Sequence, residues 1–70
     1  MQGDFRETLG PTAVIVAHDE RFVVWRWVAA PTFPDAPFNV HPLAFGGISG
    51  SGTYDLTRTE AEKATGLSWS

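Results

Sequence analysis

Cysteine is absent from this chain of 70 residues. No disulfide can therefore brace the fold, and no thiolate can bind zinc. A chain without cysteine fits a reducing compartment, so we expect the protein in the cytoplasm. Because a chain of this size buries only about 60% of the surface that its unfolded form exposes, its stability must come from side-chain packing or from a partner subunit.

Long hydrophobic runs are also missing. The longest apolar segments, 13–17 and 22–25, are far shorter than a membrane-spanning helix, which needs roughly 20 residues. A signal peptide has a basic stretch followed by an apolar one, and the N-terminal segment lacks this pattern. We therefore expect no contact with a membrane.

Basic residues are few: five lysines and arginines stand against eight aspartates and glutamates, for a formal net charge of −3. Charges of both signs are interspersed, with neither a basic stripe nor an acidic block. Because phosphate backbones repel an acidic chain, we expect no general binding to nucleic acid.

The chain is rich in apolar and aromatic residues. Hydrophobic residues make up 43% of it and aromatic residues 13%, against 19% charged residues. This composition excludes an intrinsically disordered chain. We expect a single domain over residues 1–70.

The most apolar segment, Arg21–Val28, holds two of the three tryptophans and has the β-branched and aromatic composition of a strand. A second β-type run, Thr12–Ala17, precedes it, and the polar link His18–Arg21 joins the two. Such a pair predicts an antiparallel hairpin. A loop of four residues around a type I turn pairs Val14 with Trp25.

This register divides the hairpin into two faces. The predicted core face carries the tryptophans and consists of Thr12, Val14, Val16, Val23, Trp25 and Trp27. The other face surrounds one charge, and its candidate partner-binding residues are Arg26, Phe22, Val24, Val28 and Ile15. Because burying an unpaired charge costs several kcal/mol, we interpret the Arg26 face as a docking surface for a protein. In the alternative, Arg26 pairs with Glu60 or Glu62.

The second half of the chain is punctuated by proline and glycine. Prolines recur through Pro31–Pro42 and predict an irregular or extended loop. Leu43–Phe45 predicts a short strand, Gly46–Gly52 a flexible loop, and Thr53–Leu56 a further strand.

A short C-terminal helix has clear boundaries. Thr57 and Glu60 have the spacing of a capping box, and Gly66 stands where a helix ends in the left-handed conformation. Together these elements predict an α+β fold: a small antiparallel sheet of three or four strands with one short C-terminal helix packed on it.

The sequence offers little for catalysis or ligand chemistry. Gly47–Thr53 has nearly the glycine spacing of a phosphate-binding loop but lacks its lysine. The group His18–Glu20 and the separate His41 do not have the spacing of metal ligands. We expect no enzymatic activity, no catalytic residue, no cofactor and no metal site.

Three functions fit this pattern. The first is a small acidic protein-binding module that occludes a surface of a larger protein, as an anti-CRISPR or anti-restriction inhibitor does. The alternative is a structural or accessory subunit, or an obligate homodimer. The third is a nucleic-acid binder that stacks bases on Trp25 and Trp27.

Overall fold

The computed structural model describes residues 4–69. It is a five-stranded antiparallel sheet between two short helices. The elements in chain order are α1 (Phe5–Leu9), β1 (Ala13–His18), β2 (Phe22–Trp27), β3 (Phe38–Ala44), β4 (Gly47–Ile48), β5 (Thr53–Leu56) and α2 (Arg58–Thr65). Strands β1, β2 and β3 lie side by side, and both β4 and β5 pair with β3. The predicted α+β class is confirmed.

Both faces of the sheet are covered, which explains why β2 is apolar at almost every position. On one face, which we call the tryptophan face, the buried core is Phe5, Val23, Trp25 and Leu43. On the other, the α2 face, the buried core is Val24, Val40 and Ala61. Each helix therefore completes a separate hydrophobic core.

Sequence reasoning did not predict helix α1. The Asp4 side chain accepts the backbone N–H of Arg6 at 2.8 Å and caps the helix. Phe5 and Leu9, four positions apart, both pack against the tryptophan face. The signal was present as a capping acceptor, an apolar pair at helical spacing and a following Gly10.

The predicted register of the hairpin is wrong because its loop lies further along the chain. The Asp19 carboxylate accepts the backbone N–H groups of Arg21 and Phe22 at 2.8 and 2.9 Å, which fixes the turn. His18 therefore pairs with Val23, whereas the predicted register places it opposite Arg21.

A β-bulge at Val16 shifts the register once more, so that Ile15 pairs with Trp25. Ile15 consequently packs against the tryptophan-face core. The prediction that it shares the face of Arg26 is wrong. Val16 and Ala17 pack instead on the α2 face.

The predicted loop Pro31–Pro42 is wrong for its second half, which forms most of the central strand β3. Leu43 donates its N–H to the backbone carbonyl of Arg21 at 2.7 Å. Because bonded positions alternate along an antiparallel strand, the residues on either side of Pro42 bond toward β2 and Pro42 does not. The proline nitrogen faces the opposite side, where Ser49 donates to the Pro42 carbonyl at 2.9 Å and the pairing with β4 ends. A proline can occupy this position because no bond to β2 needs its missing N–H.

The C-terminal elements match their predictions. Strand β5 has the predicted bounds, and the two capping-box bonds between Thr57 and Glu60 measure 2.9 and 3.2 Å. Gly66 ends α2 at φ 75°. Within residues 4–69, neither helix is long and apolar enough to cross a membrane.

Candidate protein-binding site

An uninterrupted apolar segment, Trp27–Pro31, leaves the sheet at the end of β2. The side chain of Trp27 is 43% exposed and that of Val28 is 62% exposed. Together with Thr12 and Thr32, the segment lines an open groove of about 430 Å³, which we call the hairpin-end groove. The sequence thus places apolar surface in solvent at one end of the hairpin.

The groove has a rigid support. Val28 donates its backbone N–H to the carbonyl of Thr12 at 2.8 Å, which ties the two walls together. The ring of Trp27 meets that of Trp25 edge to face, with centroids 4.7 Å apart. Because Trp25 is only 2% exposed, Trp27 rests on a fixed part of the core.

Arg26 is exposed and directly precedes the groove segment in the chain. Its guanidinium donates one long hydrogen bond, 3.4 Å, to the carbonyl of Trp27, and forms no ion pair within residues 4–69. Glu62 instead pairs with Arg58 at 3.4 Å, and Glu60 caps its own helix. The alternative pairing of Arg26 with helix α2 therefore does not occur.

The five predicted partner-binding residues do not form one surface. Val28 is exposed and lines the groove, and Arg26 is exposed just before the groove segment in the chain. Val24 is fully buried under α2, and Phe22 is half-buried in the same core. Ile15 belongs to the opposite face. The structure brings together two of the five and adds Trp27, which sequence reasoning had assigned to the core.

The hypothesis of base stacking on both tryptophans meets a geometric obstacle. Trp25 is enclosed by Trp27, His41 and Tyr54, with ring centroids 4.7, 5.8 and 5.9 Å away. Its ring face is not open to a base. The exposed rings beside it are those of Trp27 and Tyr54.

A polar cluster of His41 and Tyr54 holds Trp25 in place. Its indole Nε1 donates to Nδ1 of His41 at 3.0 Å. Because Nδ1 accepts, the neutral imidazole carries its proton on Nε2, which donates to the hydroxyl of Tyr54 at 3.2 Å. Burial lowers the pKa of His41 below the ordinary value of 6.5, so that the neutral form is favoured.

Close packing against this cluster explains why residue 52 is a glycine. A side-chain carbon at this position would overlap the imidazole of His41. At least one glycine of the 46–52 run is therefore required by close packing against a buried ring.

The ionisable residues at the hairpin loop form local structural contacts. The backbone N–H groups of Arg21 and Phe22 lower the pKa of Asp19. His18 has its Nε2 at 3.2 Å from the guanidinium of Arg6 and its ring against Phe5. In the part of the chain that the structure describes, no three histidines or carboxylates converge as a metal site.

Another exposed aromatic residue lies at the other end of the molecule. Phe45 is 96% exposed at the tip of the β3–β4 turn, where it adopts φ 54° next to Gly46 at φ 81°. It borders a groove of about 560 Å³ that it shares with the hairpin-loop residues Asp19 and Glu20. This groove has carboxylates in its wall, unlike the hairpin-end groove.

No protein-family model, curated protein or solved structure matches this chain. A functional proposal therefore depends on the chemistry of its own surface.

Proposed function

We propose that this protein is a small protein-binding module that acts by occluding a surface of a larger protein. The observation that carries the proposal is the hairpin-end groove, in which the apolar segment Trp27–Pro31 is exposed on a rigid support. Contiguous apolar surface on a folded domain commonly marks an interaction site.

The residue types around the groove suit a protein interface. Tryptophan and arginine are enriched among the residues that contribute most to binding, and Arg26 and Trp27 are adjacent in the chain and both exposed. The unpaired guanidinium of Arg26 favours a partner that presents a carboxylate next to an apolar side chain. A typical interface takes about 800 Å² from each partner, which is less than a fifth of the 4572 Å² surface of this chain.

Occlusion is the mode that the size of the chain supports. At 7.6 kDa the protein is small enough to act by covering part of a larger surface. Its net charge of −3 favours a basic partner surface, such as one that binds nucleic acid. The specific function that we propose is an inhibitor of the anti-CRISPR or anti-restriction kind. We place it in the cytoplasm, because a chain without cysteine fits a reducing compartment.

Affinity capture from cytoplasmic extract of the native host tests the proposal with two matched variants. Val28→Asp puts a charge into the groove, and Phe45→Asp puts the same charge on an exposed apolar position at the other end. Both sites are solvent-exposed, so both variants should remain folded, which a thermal melt checks. We expect a captured protein that Phe45→Asp retains and Val28→Asp loses.

Calorimetry with the purified partner then gives the size of the effect. Loss of a central interface contact of about 2 kcal/mol corresponds to roughly 30-fold weaker binding. Unchanged affinity of Val28→Asp would place the binding site elsewhere on the molecule.

A further inference from the structure

Strand β1 forms an edge of the sheet and carries few of the features that normally close such an edge. Among residues 4–69 it pairs only with β2. Its segment Ala13–Ala17 contains no charge and no proline. Natural proteins protect edge strands with charges, prolines, bulges or covering loops, and the bulge at Val16 is the one such device inside this segment.

Hydrogen-bond accounting shows which backbone groups the edge presents. Val28 donates to the carbonyl of Thr12 at 2.8 Å, so the bonded positions of β1 include Thr12 and, two residues on, Val14. The N–H and C=O of Ile15, which lies between bonded positions, point away from β2. Nothing within residues 4–69 pairs with them as a further strand.

The segment reads the same in both directions: Ala-Val-Ile-Val-Ala, centred on Ile15. Two antiparallel copies related by a twofold axis at Ile15 place each residue opposite its own type. Ile15 faces Ile15, and Val14 faces Val16. The two Ile15 residues then exchange both of their outward hydrogen bonds.

The faces of the sheet agree with this arrangement. Ile15 packs on the tryptophan face, so the two Ile15 side chains meet on that face. Val14 lies opposite Arg26, and Val16 packs on the α2 face, so the Val14–Val16 contacts fall together on the other face. The bulge turns Ala17 out of register, and the ladder ends after these three positions.

We propose that two copies of this chain pair through β1, centred on Ile15, and join their sheets into one. The partner is a second copy because three features of the edge match themselves. The sequence is palindromic about Ile15, the outward N–H and C=O of Ile15 can bond to those of the other copy, and the paired side chains lie on the same face of the joined sheet. The contact covers the half-buried side chains of Val14, Ile15 and Val16. It is independent of the proposed binding of a larger protein at the hairpin-end groove.

Sedimentation equilibrium of the full chain tests the pairing, with a monomer mass of 7.6 kDa as reference. Val14→Glu places a carboxylate against Val16 of the second copy, whereas within one chain it faces Arg26 and can pair with it. Val28→Glu is the matched control, because it makes the same change at an exposed position outside β1. We expect a wild-type dimer, at least tenfold weaker dimerisation in Val14→Glu, and no change in Val28→Glu.

Amide hydrogen exchange gives a second readout that needs no variant. The amide of Ile15 should become protected as the protein concentration rises, while that of Val28, bonded within the chain, should not change. A protein that stays monomeric up to millimolar concentration would overturn the proposal. So would dimerisation that Val14→Glu leaves intact, or an Ile15 amide whose exchange does not depend on concentration.

Discussion

At the scale of single residues, Trp25 links the core to the proposed binding surface. Its ring is buried, its indole N–H is held by His41, and its edge supports Trp27. The sequence predicted that Trp25 is core, and the structure confirms this. The same prediction for Trp27 is wrong, because β2 ends at this residue and the chain that follows does not cover it.

Trp25→Ala should lower the free energy of unfolding by about 3–5 kcal/mol, since it empties a large fully packed volume. That is a large share of the stability of a small domain. Trp69→Ala should cost less, because Trp69 is only half-buried and packs at the margin of the α2-face core, where its ring meets Phe38. Urea denaturation followed by circular dichroism measures both, and a Trp25→Ala variant with native stability would show that the ring is not core.

Phe45→Asn should raise the free energy of unfolding by about 1 kcal/mol, because a left-handed residue other than glycine or asparagine is strained. Phe45 has φ 54° and is 96% exposed, so removing its ring sacrifices little packing. Phe45→Ala is the control, since it removes the ring and keeps the strained backbone. Thermal melting compares them, and an equal shift in both variants would argue against backbone strain.

Acid should weaken the fold through His41. Its pKa in the folded state lies below its unfolded value of 6.5, so the unfolded chain binds more protons between these two values. The free energy of unfolding should therefore be fully retained above pH 6.5 and fall as the pH drops through the folded pKa. His41→Asn removes this titration, and denaturation curves across this range should be flatter for the variant than for the wild type. Equal slopes would locate the pH dependence at another group.

At the scale of elements, the sequence predicts those whose signals are local. The capping box of Thr57 and Glu60, with Gly66 behind it, defines α2 without any knowledge of the rest of the chain. The hairpin register was not predictable in this way, because it depends on which residue the Asp19 carboxylate caps and on a bulge at Val16.

Strand β3 shows the same limit. Its Pro42 reads locally as a breaker, and only the pairing on both sides shows that its nitrogen faces away from β2. Helix α1 has five residues and is stable only through the packing of Phe5 and Leu9 on the sheet. Elements that depend on tertiary contacts are thus the ones that sequence reasoning misses.

Thr57→Ala tests the capping box directly. The variant loses the Thr57 hydroxyl that accepts the N–H of Glu60, and it should lower the free energy of unfolding by about 1 kcal/mol. Thr57→Ser keeps the acceptor and should stay close to the wild type. If chemical denaturation gave the same loss for both variants, the hydroxyl would not be the source of the stabilisation.

At the scale of the whole molecule, the two ends of the sheet differ in character. One end has the hairpin loop with Asp19 and Glu20, and the other has the apolar hairpin-end groove, whose segment follows Arg26 in the chain. The sequence indicated Arg26 and Val28 as binding residues because a lone charge in an apolar strand is hard to bury. It could not indicate the groove, which forms where the chain leaves the sheet after β2.

Binding of the purified partner by Arg26→Glu, measured by calorimetry beside a thermal melt of the same variant, tests whether the surface at the end of β2 binds the partner. Arg26 forms no ion pair within residues 4–69, so the melting temperature should not change. We expect roughly 30-fold weaker binding or more, from the loss of a contact of about 2 kcal/mol and the introduction of a like charge opposite the carboxylate that we propose on the partner. If the variant melted at a lower temperature but bound its partner as tightly as the wild type, Arg26 would be a structural residue and the binding site would lie elsewhere.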